Sequence, residues 1–221
     1  MNEIKEILET RRTFYAFLFQ MYVEAPNRTF VDDLVNERFH FEELTSLDVN
    51  EDLTEGFRLL NEFMEKNKGK GVDALHEALI QEYTRLFIGP FRLPVQPYEA
   101  WWVSGQLLGE ALVKVKAFYR KAGIAKSREY KEPEDHIAFE LKVMQHLCEE
   151  GLASTTREQL KGCVTLQREF LDAHILKWVP TYCDALYTYE GSDFYKGIAK
   201  LTKGFIRLED AVVSDLLETV R

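Results

Sequence analysis

The chain has 221 residues, of which 46% are hydrophobic and 29% are charged, and these proportions are typical of a folded globular protein. Its formal net charge of −9 argues against a nucleic-acid partner, because phosphate binding requires a basic surface. The apolar run at residues 14–19 is too short to span a bilayer, and no small-residue cleavage site follows it. We therefore expect neither a signal peptide nor stable membrane insertion.

The predicted elements are all helices. Apolar residues recur three and four positions apart along most of the chain, and no useful stretch alternates with period two. Glycines, prolines and capping residues divide the chain into predicted helices over 3–23, 29–39, 51–66, 73–88, 99–122, 133–150, a long helix from Ser154 or Thr155 that Pro180 kinks or breaks, and 193–220. The sequence thus predicts an all-α fold of about eight or more helices. We expect a single domain over 1–221, with helical parts at about 1–123 and 133–221 and a hinge near 124–132.

The segment from Tyr83 to Trp102 cannot be helical throughout, because Pro90, Pro94 and Pro97 lie within eight residues. It is also rich in aromatic and aliphatic side chains. A loop of this composition either folds over the core or forms part of a surface that binds an apolar partner. Composition alone favours the core, and both interpretations stay open.

Familiar catalytic motifs are missing from the sequence. It contains no GxxxxGK[ST], no GxGxxG after a strand, no GxSxG and no HExxH. Cys148, Cys163 and Cys183 are odd in number and form no CxxC pair, which argues against a disulfide framework and indicates a cytoplasmic protein. We expect no catalytic residues, no metal and no cofactor.

One polar cluster could form a binding site from neighbouring residues alone. It is the segment Glu132-Pro133-Glu134-Asp135-His136. The simpler interpretation is a charged helix N-terminus, where the helix dipole stabilises carboxylates. The alternative is a receptor for a cation, since paired carboxylates can accept a guanidinium through two parallel hydrogen bonds. Glu140 lies one turn after His136 and could fix its tautomer, but the pair lacks a third metal ligand nearby.

Two other groups of residues have structural interpretations. Arg11 and Arg12 are expected to form a solvated patch. Phe170, His174 and Trp178 follow one another at spacing four, which indicates packing along one helix face.

The sequences LFIGPFRLPVQPYEAWW (86–102), EPEDH (132–136) and FLDAHILKWVP (170–180) together resemble the TorD/DmsD/NarJ family, and most closely its DmsD-like branch. The resemblance covers the chain from about Tyr83 to Leu208. At Tyr83, Phe91 and Tyr98 the chain has other aromatic residues where the DmsD-like pattern often has tryptophan.

This resemblance implies an all-helical, non-catalytic chaperone of the cytoplasm. It would bind the twin-arginine leader of a molybdopterin oxidoreductase catalytic subunit and hold it from export until the cofactor is inserted. The residues that the motifs carry over as peptide-binding are Tyr83, Leu86, Phe87, Phe91, Pro97, Tyr98, Glu132, Asp135 and His136. Because the family includes domain-swapped dimers, we expect a monomer or a domain-swapped homodimer.

Two alternatives stay open. The first is a helical metalloenzyme that uses His136, Glu140 and a distant third ligand. The second is a generic helical protein-interaction domain in which the proline-rich loop is packed as core.

Overall fold

The computed structural model describes residues 2–41, 44, 49–89 and 92–220, and the helices account for most of them. The helices are α1 (Asn2–Val23), α2 (Arg28–Val35), α3 (Glu51–Asn67), α4 (Val72–Tyr83), α5 (Glu99–Ser104), α6 (Glu110–Lys121), α7 (Ile137–Ala153), α8 (Arg157–Phe170), α9 (Leu176–Thr188) and α10 (Phe194–Thr219). Two π-helical turns, Thr84–Ile88 and Leu171–Ile175, follow α4 and precede α9. No strand occurs in these described ranges, and the prediction of an all-α fold is confirmed.

Helix boundaries depart from the sequence prediction at several places. The single helix predicted over 99–122 is two helices, because the chain turns between α5 and α6, where Gly105 has φ +70 and Leu108 has φ +58. The cap of α8 is Thr156, which forms a capping box with Gln159 and stands one or two positions after the expected residues. Pro180 does not break its helix, since α9 continues through it to Thr188, and the irregular π turn lies before the proline.

The chain divides into two compact units. Unit 1 contains Met1–Phe19, Pro97–Val179 and Ile206–Arg221, and unit 2 contains Gln20–Gln96 and Pro180–Phe205. Segment 124–132, the expected hinge, belongs to unit 1. The expected helical parts at 1–123 and 133–221 stay a prediction.

Unit 1 contains a buried ion pair that corrects the expectation of a solvated arginine patch. Arg11 Nε and Nη2 each donate to a different oxygen of the Glu209 carboxylate, both at 2.7 Å. Tyr15 donates its hydroxyl hydrogen to the same carboxylate, also at 2.7 Å. Both Arg11 and Glu209 are buried, whereas Arg12 is half-exposed and pairs locally with Glu9. Arg11 is therefore a core residue, because a guanidinium can be buried when a bidentate carboxylate partner accompanies it.

In unit 2, α3 and α10 approach so closely that glycine is required at the contact. A Cβ atom built on Gly204 would lie 2.5 Å from the backbone nitrogen of Leu53, and one built on Gly56 would lie 2.8 Å from the backbone nitrogen of Leu201. The N-terminus of α10 is held by the buried Glu82 carboxylate, which accepts hydrogen bonds from backbone N–H groups of residues 193–195. These contacts join distant parts of the sequence into one core.

In the described part of the chain, no helix combines enough length with enough apolar character to cross a bilayer.

Candidate functional site

The end of the proline-rich loop pairs with the acidic segment, within unit 1. Tyr98 and His136 form an isolated antiparallel bridge, in which Ile137 N donates to Pro97 O at 2.9 Å and Glu99 N donates to Asp135 O at 2.9 Å. This pairing explains why α7 begins at Ile137 and not at the predicted Pro133, since His136 is extended and residues 135–137 are hydrogen-bonded to the loop. We call Pro97, Tyr98 and Glu132–His136 the acidic corner.

Tyr98 links the two sides of the acidic corner. Its hydroxyl group donates to Glu132 Oε2 at 2.6 Å, and its ring packs edge-on against His136 with centroids 5.2 Å apart. Tyr98 is half-buried and Glu132 is exposed. One aromatic ring thus orients a carboxylate that faces solvent.

Asp135 is buried and has a structural role in the acidic corner. Its Oδ2 atom accepts the backbone N–H of Ala100 at 3.1 Å, in the first turn of α5. Burial raises the pKa of Asp135, and the backbone hydrogen bonds oppose that shift. Asp135 therefore caps α5, and the carboxylates of the acidic corner that solvent reaches are Glu132 and the half-buried Glu134.

His136 is the N-cap of α7. Its Nδ1 atom accepts the backbone N–H of Ala138 at 3.2 Å, so the neutral ring carries its proton on Nε2. Burial lowers the pKa of His136 to about 4. The expectation that Glu140 orients His136 is wrong, because the tautomer is set by the Ala138 amide and the Glu140 carboxylate accepts from Trp178 instead.

Two further carboxylates lie in the core of unit 1. The sequence interpretation missed Glu99, and it considered Glu140 only as a partner of His136. Glu99 accepts from His174 Nδ1, with distances of 2.9 and 3.2 Å to its two oxygens, and Glu140 accepts from Trp178 Nε1 at 2.9 Å. Burial and the neighbouring Glu99 raise the pKa of Glu140 well above its ordinary value. The sequence did contain a sign of these buried contacts. Glu140 interrupts an apolar run, and its partner Trp178 lies one helical turn after His174, the partner of Glu99.

The packing predicted for Phe170 is confirmed. Its ring centroid lies 5.0 Å from that of His174 and 4.7 Å from that of Phe118. The face therefore combines aromatic packing with the hydrogen bond between His174 and Glu99.

The other predicted peptide-binding residues lie in unit 2. Tyr83, Leu86 and Phe87 are buried, and the Tyr83 hydroxyl donates to the carbonyl of Tyr22 at 3.3 Å. Phe87 packs against Tyr195 with ring centroids 5.0 Å apart. These contacts favour the core interpretation for this part of the loop, and a role in binding stays a prediction.

Phe91 lies outside the described residues. Pro97 is buried at the acidic corner. The structure therefore brings together Pro97, Tyr98, Glu132, Asp135 and His136 within unit 1, and it does so through backbone pairing.

No group of three or more His, Cys, Asp or Glu residues with the geometry of a metal site occurs in the described part of the chain.

A family comparison decides the assignment. Residues 48–184 match the model of a family described as "nitrate reductase delta subunit". The chain belongs to the nitrate reductase delta subunit family. The match includes the whole acidic corner and both π turns, and it confirms the resemblance found in the sequence.

Several relatives of this chain are named as chaperones. The chaperone protein TorD of Vibrio cholerae serotype O1 (strain ATCC 39315 / El Tor Inaba N16961) is 23% identical over 231 residues, which cover 99% of this chain and 98% of TorD. The Tat proofreading chaperone DmsD of Salmonella typhi is 30% identical over 129 residues, which cover 58% of each chain. The relatives are named as chaperones and not as enzymes, which supports a non-catalytic protein.

A solved structure supports the fold. A candidate redox enzyme maturation protein from Archaeoglobus fulgidus aligns with a TM-score of 0.51 at 18% identity and covers 89% of this chain and 93% of that one. At this identity the likeness establishes a shared helical fold.

Proposed function

We propose that this protein is a cytoplasmic redox-enzyme maturation chaperone that binds the twin-arginine leader of a molybdopterin oxidoreductase catalytic subunit. It holds the leader from export until the cofactor has been inserted into the client. The observation that carries the proposal is the acidic corner, where Tyr98 is hydrogen-bonded to the exposed Glu132 and a second carboxylate that solvent reaches, Glu134, lies two residues further along the same segment. Membership of a family with TorD and DmsD chaperones supports it.

The chemistry of the acidic corner suits a guanidinium. A carboxylate that faces solvent can accept two parallel N–H bonds from an arginine without the cost of burying an unpaired charge. Glu132 and Glu134 offer such carboxylates, and the net charge of −9 draws a cationic segment towards the protein. Lys116 lies 3.3 Å from Glu134, so an incoming arginine would compete with an existing ion pair.

The buried residues of the acidic corner hold the peptide-binding side chains in position. Asp135 fixes the start of α5, His136 fixes the start of α7, and the bridge between them and the loop holds Tyr98 in place. A binding surface made of short loops stays in one geometry only when such contacts hold it. We therefore assign direct contact with the leader to Tyr98, Glu132 and Glu134.

Isothermal titration calorimetry with synthetic leader peptides tests the proposal. The peptides are taken from the reductase catalytic subunits encoded in the same genome, and each is paired with a version in which lysines replace both arginines. We expect micromolar binding, weakened by roughly tenfold when Glu132→Gln and Glu134→Gln are combined, since charged hydrogen bonds contribute about 1.5–3 kcal/mol before solvent screening. The lysine version should bind less well, because an ammonium cannot make the paired contact.

Glu129→Gln is the matched control, because Glu129 is an exposed carboxylate in the same connector. Glu129→Gln removes one negative charge, as Glu132→Gln and Glu134→Gln each do, and it should leave peptide binding nearly unchanged. Absence of binding to every leader peptide, with the helical circular dichroism signal retained, would refute the proposed function.

A further inference from the structure

The turn between α5 and α6 exposes four large apolar side chains. Val103, Leu107, Leu108 and Val113 are each at least 50% exposed, and Leu108 reaches 70%. Single exposed apolar residues are ordinary, but four within eleven positions of one chain segment form a patch that soluble proteins use for binding. We call these four residues the α5–α6 patch.

Leu108 is unusual in its backbone as well. Its φ of +58 is in the left-handed region, which bulky side chains rarely adopt. Glycine would adopt this conformation without strain. A leucine that is both strained and exposed contributes nothing evident to folding, which indicates a role for its side chain outside the fold.

The α5–α6 patch is continuous with the acidic corner. Val113 and Lys116 are three residues apart on α6 and so lie on the same face, and the Lys116 ammonium contacts the Glu134 carboxylate at 3.3 Å. At the other end, the backbone N–H of Ala100 in α5 donates to the Asp135 carboxylate, and Ala100 precedes Val103 by three residues, about one helical turn. A ligand that spans both features therefore meets carboxylates first and apolar side chains next.

We propose that the α5–α6 patch binds the apolar stretch of a peptide whose adjacent arginines occupy the acidic corner. This inference rests on the proposed function and assigns a second subsite to it. The order of charges and apolar groups along the protein matches a segment with two arginines followed by an apolar run. A second copy of this chain fits less well, because pairing two patches would bring two sets of Glu132 and Glu134 together.

Fluorescence anisotropy with labelled synthetic peptides tests the inference. The first probe carries two adjacent arginines followed by a leucine-rich stretch, and the second replaces that stretch with serines. We expect the wild-type protein to bind the first probe more tightly, and Leu107→Gln with Val113→Gln to weaken it by about tenfold or more, since each side chain loses part of its apolar contact area. The serine probe should bind both proteins equally.

Two further variants separate binding from folding. Leu108→Gly relieves the left-handed strain, so we expect unchanged or higher thermal stability together with weaker binding of the leucine-rich probe. A leucine that only stabilised the fold would give lower stability and unchanged binding, which would overturn the inference. Val49→Gln is the control for removing an exposed valine elsewhere, and it should bind like wild type.

The outcomes distinguish this inference from the proposed function. If the leucine-rich probe binds and neither the serine replacement nor the patch variants change its affinity, the second subsite is refuted while leader binding stands. If no arginine-containing probe binds, the proposed function fails and the subsite fails with it. If the patch variants instead convert a dimer of the wild-type chain into a monomer, the patch joins two copies and the inference is wrong.

Discussion

Replacing Glu209 with alanine should destabilise the protein strongly, and the contacts around Arg11 set the magnitude. The substitution removes both acceptors of the Arg11 guanidinium and the acceptor of the Tyr15 hydroxyl, each at 2.7 Å. Arg11 is 3% exposed, so the stranded charge cannot reach water without rearrangement of the core. Breaking a buried ion pair in this way costs about 3–5 kcal/mol, a large fraction of the total stability of an ordinary domain.

The assay is equilibrium urea unfolding followed by far-ultraviolet circular dichroism. Arg12→Ala is the matched control, because Arg12 is the next residue and pairs with Glu9, with side-chain exposures of 32% and 55%. An exposed pair of this kind contributes under about 1 kcal/mol. Glu209→Ala, which breaks the buried pair, should therefore lower the free energy of unfolding severalfold more than Arg12→Ala, which removes the exposed pair.

A double variant separates the cost of the stranded charge from the cost of losing the ion pair. Combining Arg11→Met with Glu209→Leu removes the stranded charge and fills the space with apolar groups, so it should be more stable than Glu209→Ala alone. If Glu209→Ala costs no more than Arg12→Ala, the pair does not hold the core and the reasoning is refuted.

Two other predictions concern a glycine contact and a histidine. Gly204→Ala should cost at least about 1–3 kcal/mol of unfolding free energy, because the new methyl group meets the Leu53 backbone at 2.5 Å. Gly162→Ala, where nothing lies within 4 Å on α8, should instead stabilise by about 0.5–1 kcal/mol, and equal effects in urea unfolding would contradict the close approach. Because the folded pKa of His136 is lowered from 6.5 to about 4, its contribution is present above pH 6.5 and is lost as the pH falls towards 4, by up to about 3 kcal/mol. His136→Asn can still accept from Ala138 and does not titrate, so its stability should fall less than wild type between pH 7.5 and pH 4.5, and parallel pH profiles would disprove the shift.

The fold class could be predicted from sequence because helix formation leaves a local signal. The three- and four-residue spacing of apolar side chains marks each long helix, and Gly69 and Gly71 correctly end α3. What stayed hidden depends on partners far along the chain. α7 starts at Ile137 because residues 135–136 pair with residues 97–98, and no local pattern around Pro133 reports that pairing.

In the candidate site, too, local features could be predicted from the sequence, whereas contacts between distant residues could not. The acidic composition of Glu132–His136 was visible, but which carboxylates face solvent was not, because Asp135 is hydrogen-bonded to the backbone N–H of Ala100, which lies 35 residues away in the chain. Arg11 and Arg12 illustrate this further. Adjacent residues of one type differ in burial because successive positions on a helix point about 100° apart, and only the three-dimensional position of Glu209 decides which one enters the core.

The discontinuous units have a consequence for how the protein is made. Each unit draws on the last part of the chain, since unit 2 needs residues 180–205 and unit 1 needs residues 206–221. Domains made of consecutive residues can fold one after another as they leave the ribosome. Here the carboxylate that neutralises Arg11 and the helix end that binds Glu82 are both supplied by α10 and the turn before it. Neither unit can complete its core before the residues that it takes from α10 have been translated, so both cores stay open while the earlier residues are being synthesised.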